Sequence, residues 1–246
     1  MFQKLRKSKK LLLVAMACAT FAIAGCGSDT TKNAADNGNA VTWSETFDGT
    51  KTDFAVKSSP THAVSMSQAT TEMMLQLGLE DKMAGTAFKE EEIYPPLQAA
   101  YDKVKVLSDK WPSYEVFMSV KPDFATGWPD SFSKRAIPAD KMIAQKVNIW
   151  LPESMLSTKA DLETNFNDMI KLGEIFGVKS KAEEWVAGQR KTLAAIQDKL
   201  KDLPRKRVFI YDSEDGQPFT AFEGYTTNIL KLIGADNVMS GLGVDK

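Results

Sequence analysis

The chain has 246 residues, 43% of them hydrophobic and 26% charged, with a formal net charge of −1 at neutral pH. One histidine in the whole chain leaves too few nitrogen ligands for capture of bare Zn²⁺ or Mn²⁺. The absence of a strong basic balance argues against a nucleic-acid partner.

The chain opens with Lys4, Arg6, Lys7, Lys9 and Lys10, followed by an apolar stretch over residues 11–25. That stretch is shorter than the roughly 20 residues a membrane-spanning helix needs, so residues 1–25 read as an export signal peptide. Ile23-Ala24-Gly25-Cys26 sets small side chains directly before a cysteine and resembles the lipobox of bacterial lipoproteins, with isoleucine where leucine is commoner. The resemblance implies that the Cys26 thiol receives a diacylglyceryl group, with palmitate-type acyl chains as the membrane anchor. A plain secretory signal with Cys26 incidental is the alternative. Cys18 lies inside the apolar run and is discarded with it. Removing residues 1–25, which carry five basic and no acidic side chains, takes the net charge from −1 to −6. Residues 26–45 are expected to form a flexible tether, because the run from Gly27 to Ala40 is rich in Asp, Asn, Thr and Gly and has little to bury.

Short strands are expected over 53–57 and 61–66 around Pro60. "SQATTEMMLQLG" predicts a helix with Met73, Met74 and Leu77 on one face and Gly78 as its stop. Apolar runs at 83–87, 104–107, 124–127 and 147–151 predict further strands, separated by helical patterns at 94–101, 113–120 and 138–145. This alternation argues for a mostly parallel sheet covered by helices. After Pro152 the pattern changes to two successive helices, 161–176 and 181–201, divided by residues 177–180. Trp185, Val186, Leu193, Ile196 and Leu200 form a stripe on the second, which at 1.5 Å per residue would be roughly 30 Å long. Strand patterns return at 207–212 and 219–221, with a helix at 225–233 ended by Gly234. The fold class is α/β, with an N-terminal lobe over 46–180, a connecting helix over 181–203 and the start of a second lobe over 204–246.

Ligands of open α/β sheets bind outside the carboxyl ends of the strands. That rule selects Ser67, Gln68, Phe88, Lys110, Trp111, Trp128 and Ser131 in the first lobe, and Tyr211, Phe222 and Tyr225 in the second. Aromatic rings supply contact area for a large flat ligand, with packing of Trp111 and Trp128 under their own Pro112 and Pro129 turns as the alternative, while Lys110, Lys134 and Arg135 offer cations for anionic groups or serve as solvated surface charges. Glu90-Glu91-Glu92 reads as a solvated loop or helix start, and His62 as a structural residue at a strand start. There is no Gly-x-Ser-x-Gly elbow, phosphate loop or histidine-rich constellation, so no catalytic residue is assigned, and no cofactor or resident metal is called for.

Four segments, "THAVSMSQATTEMMLQLGLEDKMAGTA", "LSDKWPSYEVFMSVKPDFATGW", "GVKSKAEEWV" and "RVFIYDSEDGQPFTAFEGYTTNILKLIGADNV", occur in that order. Together they resemble the substrate-binding proteins of ABC importers for ferric siderophores, haem and cobalamin, over residues 62 to about 238. The resemblance implies two α/β lobes joined by one long helix, as in class III periplasmic binding proteins, with a ligand cleft between them. It also implies an iron chelate as ligand, an ABC permease as partner and a lipid-anchored place on the extracytoplasmic face of the cell membrane. A surface lipoprotein that binds haem or a protein without an importer is the competing reading. Family members dock to the permease through one acid on each lobe. Glu223 matches on the second lobe, whereas Lys134 stands near the expected position on the first, leaving Asp130 as a substitute. The family's second lobe continues well beyond the asparagine of "GADN", so residues 204–246 are expected to form an incomplete lobe.

Overall fold

The computed structural model describes residues 40–214 and 216–242. Its first element is an antiparallel hairpin of β1 (Val41–Phe47) and β2 (Thr50–Val56). Asp48 and Gly49 form the two-residue connection, both at positive φ (47° and 77°), the backbone twist that matches two right-twisted strands. Val41, Trp43, Glu45 and Phe47 turn inward while Thr42, Ser44 and Thr46 face solvent. Trp43 stacks on Phe54 at 5.6 Å and donates its indole N–H to the Ile149 carbonyl at 2.7 Å. This corrects the tether expected through residue 45: residues 41–45 belong to a strand, because their alternation packs one face onto the sheet. The rest of that segment before residue 40, with Cys26 and the export signal, lies outside the described residues.

The main sheet contains β3 (Ala63–Met66), β4 (Met83–Ala87), β5 (Val106–Ser108), β6 (Phe124–Gly127) and β7 (Asn148–Trp150), all parallel in the order β5-β4-β3-β6-β7. Every residue of β3 and β6 is buried, as central parallel strands covered on both faces require. The connections are α1 (Gln68–Gln76), a 3₁₀ turn running into α2 (Gln98–Tyr101), α3 (Tyr114–Ser119) and α4 (Ala139–Ala144). Met73, Met74 and Leu77 fill one face together with Phe166, Leu172 and Phe176. Phe117, Ile137, Met142 and Ile149 fill the other, with Phe54 of the hairpin. The order reverses at β3, whose neighbours β4 and β6 lead the chain in opposite directions. A crevice therefore opens above the carboxyl ends of β3 and β6.

Two antiparallel helices follow, α5 (Leu162–Ile175) and α6 (Lys179–Leu200). Asp161 and Thr164 form a reciprocal capping box at the start of α5. Lys179 and Ser180, expected in the divider, already belong to α6. A Cβ on Gly173 would lie 2.6 Å from the Ala182 Cβ, so a glycine is what lets the two helices meet this closely. The Arg190–Glu163 ion pair marks the end of their contact, since Glu163 stands in the first turn of α5 and α6 runs on past it. The expected stripe is consequently buried at Val186 but not along its whole length: Leu193 and Leu200 are half-buried and Ile196 is exposed.

Beyond α6, β8 (Lys206–Val208) pairs in parallel with β11 (Ala235–Asn237) across α7 (Tyr225–Leu232), a βαβ unit clamped by Arg205 on Asp236 at 2.8 Å. A short ribbon of β9 (Ser213–Glu214) and β10 (Pro218–Phe219) lies between β8 and α7. The strand expected over 207–212 ends early. After Val208 the chain leaves the ladder, and Phe209 and Tyr211 are exposed. Asn228 donates to the Ala160 carbonyl at 3.2 Å, tying α7 to the loop before α5. No helix among the described residues is long and apolar enough to cross a membrane.

Candidate functional site

Four strand ends deliver the side chains at the crevice. Met66 closes β3, and its carbonyl accepts the Trp111 indole N–H at 3.1 Å and the Ser131 hydroxyl at 3.2 Å. One buried carbonyl at the strand end thereby orients both Trp111, in the loop after β5, and the turn after β6. Phe88 follows β4 with φ of 60°, a left-handed conformation a bulky residue rarely adopts. In that conformation its ring stacks on Trp111 with centroids 4.6 Å apart and planes 18° from parallel, a contact worth about 0.5–1.5 kcal/mol beyond its area. Trp128 follows β6 and leads into the 3₁₀ turn Pro129–Phe132.

These residues line an open groove of about 420 Å³, whose walls are Phe88, Glu90, Trp111, Trp128, Pro129 and Asp130. The volume is that of a site for a ligand of several hundred daltons, with aromatic area on the sides and few polar groups to orient it. Trp128 donates its indole N–H to Glu90 Oε2 at 3.3 Å. Asp130 is ion-paired with Arg135.

Several residues selected from the sequence have other tasks. Ser67 is fully buried and caps α1, its hydroxyl accepting from the Thr70 N–H, and Ser131 is fully buried on the Met66 carbonyl. Neither reaches the groove surface, because the tight turns after β3 and β6 fold their short side chains inward. Gln68 shapes the site from beneath. Its amide oxygen accepts from the N–H groups of Glu90 and Glu91 at 2.9 and 2.7 Å, and its nitrogen donates to Glu72 and to the Glu92 carbonyl. The loop after β4 is thus fastened onto the first turn of α1. Arg135 is committed to Asp130, and Lys110 and Lys134 are exposed outside the groove lining.

Tyr211, Phe222 and Tyr225 do not line this groove. Tyr211 is exposed and donates to Glu214 at 3.3 Å. Tyr225 begins α7, where burial and then the nearby Asp161 and Asp168 carboxylates push its hydroxyl above the usual tyrosine range. The Phe222 carbonyl accepts from Thr227 and Asn237. The Glu223 carboxylate brackets residues 240–241, accepting from the Ser240 hydroxyl and the Gly241 N–H at 2.7 Å each, and these bonds hold it below the ordinary glutamate value. Glu90, Pro129 and Asp130 are the groove residues that sequence reasoning did not select as ligand-binding. The signal was positional, since Glu90 stands two residues beyond Phe88 after the same strand. Among the described residues no cluster of three or more His, Cys, Asp or Glu side chains is placed to hold a metal ion.

The chain is 26% identical over 240 residues to an uncharacterised ABC transporter substrate-binding lipoprotein, YvrC, of Bacillus subtilis, an alignment covering 94% of this chain and 73% of that one. The crystal structure of a periplasmic binding protein from Veillonella parvula superposes with a TM-score of 0.84 at 95% identity, covering 85% of this chain and 71% of that chain. A structure of an ABC-type Fe³⁺-hydroxamate transport system from Saccharomonospora viridis shares the fold at 19% identity, with a TM-score of 0.64 over 83% of this chain and 72% of that chain. The fold is that of the class III periplasmic binding proteins, α/β lobes joined by a long helix. The periplasmic binding protein family matches over residues 64–243, from β3 past β11, and with an open aromatic groove at the switch point of a parallel sheet the chain belongs to this family of solute-binding, non-catalytic proteins.

Proposed function

We propose that the chain is the extracytoplasmic solute-binding component of an ABC importer, and that it captures a large metal chelate on the groove formed by Phe88, Trp111 and Trp128. Ferric siderophores are the first candidates, with haem and cobalamin next. The observation that carries the reading is the aromatic wall itself: a stacked Phe88–Trp111 pair and the Trp128 indole lining one groove at the carboxyl ends of the strands. Such a wall offers large apolar contact area at little cost in side-chain entropy. Similarity to a substrate-binding lipoprotein supports both the importer and an anchor at Cys26. For the permease contact, Glu223 is the candidate acid on the second lobe, and it would dock while holding residues 240–241.

The test is a titration of intrinsic tryptophan fluorescence with ferric siderophores, haem, cobalamin, Zn²⁺ and Mn²⁺. Saturable quenching by a chelate, lost in Trp111→Ala or Trp128→Ala, is expected. Saturable binding of bare Zn²⁺ with no response to any chelate would overturn both the ligand class and the site.

A further inference from the structure

We propose that Glu90 makes the groove a charge filter that admits chelates carrying no net negative charge and disfavours polyanionic ones. This rests on the groove being the chelate site. Among the described residues two charged side chains line it, Glu90 and Asp130, and both are acids. Asp130 is matched by Arg135, whereas Glu90 has no ion-pair partner among the described residues. Lys89, its neighbour in sequence, and Lys110 and Lys134 are exposed and outside the lining. A ligand resting on the aromatic wall therefore meets one uncompensated negative charge.

That charge is held in place from two sides. The Glu90 N–H is fixed to Gln68 Oε1 at 2.9 Å, and Gln68 is itself braced by Glu72 at 2.9 Å. Glu72 also accepts from the Tyr94 N–H at 3.1 Å, closing the far end of the loop. At the side chain, Oε2 accepts the Trp128 indole N–H, while Oε1 has no protein donor among the described residues. An oriented carboxylate with a spare oxygen beside two aromatic faces suits an ammonium or amide N–H on the ligand periphery. It repels the carboxylate or catecholate oxygens of an anionic complex. At 4 Å in water each unit of chelate charge changes the dissociation constant by about fivefold, and screening at physiological salt reduces this. A cationic ferric trihydroxamate and a trianionic ferric tris-catecholate should then differ by at least about tenfold in favour of the cation.

The experiment titrates the full chain with a cationic ferric trihydroxamate, a neutral one of similar size and a ferric tris-catecholate, reading tryptophan quenching at low and high salt. The expected order is cationic, then neutral, then anionic, with the spread narrowing at high salt. Glu90→Gln keeps an oxygen acceptor for the Trp128 N–H but removes the charge, so the spread between cationic and anionic complexes should collapse. Glu90→Asp, which keeps the charge, should keep the order. An anionic complex that binds as tightly as the cationic one, or a spread unchanged in Glu90→Gln, overturns the filter while leaving the chelate site standing. No quenching by any of the three complexes overturns the filter together with the site on which it rests.

Discussion

Glu45 is the inward-facing residue of β1 that breaks an otherwise apolar face, and its replacement tests how the hairpin is held. The residue is 7% exposed and its carboxyl accepts one bond, from the Leu151 N–H at 3.0 Å. Burial pushes it from its ordinary 4.5 up to about 7, the Leu151 bond opposes this, and the Glu153 and Asp168 charges add to it. Asp168 is raised as well, chiefly by burial, although it accepts the Glu153 and Ser154 N–H groups at 2.8 and 2.9 Å. A group that binds its proton more tightly when folded contributes stability that is fully present below its unfolded value and is lost as pH rises toward its folded value. For Glu45 that window runs from 4.5 to about 7. With about 1.36 kcal/mol for each tenfold change in proton affinity, the loss comes to roughly 3 kcal/mol. Glu45→Gln keeps an acceptor for Leu151 and never ionises. Urea unfolding at about pH 5 and about pH 8 should show the variant's advantage growing by about 2–3 kcal/mol between them. A difference between variant and parent that stays flat over that range would refute the burial argument.

Gly173→Val places side-chain atoms where the α5–α6 contact has no room, and should cost about 1–3 kcal/mol, read as a lower thermal midpoint by circular dichroism. Asp161→Ala removes the capping box of α5 and should cost about 1 kcal/mol in urea unfolding, with Asp161→Asn recovering most of it. Phe209, Tyr211 and Phe219 are each about half exposed, so limited chymotrypsin digestion should cut at this stretch before any site in the parallel sheet. Cys26→Ser should move the protein from the membrane fraction to the soluble fraction of fractionated cells. Retention in the membrane fraction would count against the lipid anchor.

The parallel sheet was legible in the chain because its strands are short apolar runs between helix patterns. Met83–Ala87 and Phe124–Gly127 coincide with the expected spans, β3 and β7 lose only end residues, and β5 starts two residues later and runs one further, to Ser108. The positional rule for strand ends likewise found Phe88, Trp111 and Trp128, since a parallel sheet places those ends together whatever the details of packing. The β1 strand was hidden because an acid occupies an inward position, and only the approach of the Leu151 N–H shows why it is tolerated there. The fates of Ser67 and Ser131 depended on the direction each turn takes, which residue type does not encode. Glu90 looked like one solvated acid among three. Fastening of its loop to Gln68, a residue 22 positions away, is what puts this carboxylate rather than its neighbours into the groove. Local pattern determined the elements and the end of the sheet at which the groove opens, because periodicity and strand direction are properties of the backbone. The charge the groove presents was decided by long-range hydrogen bonds, which exist only once the strands and helices have come together.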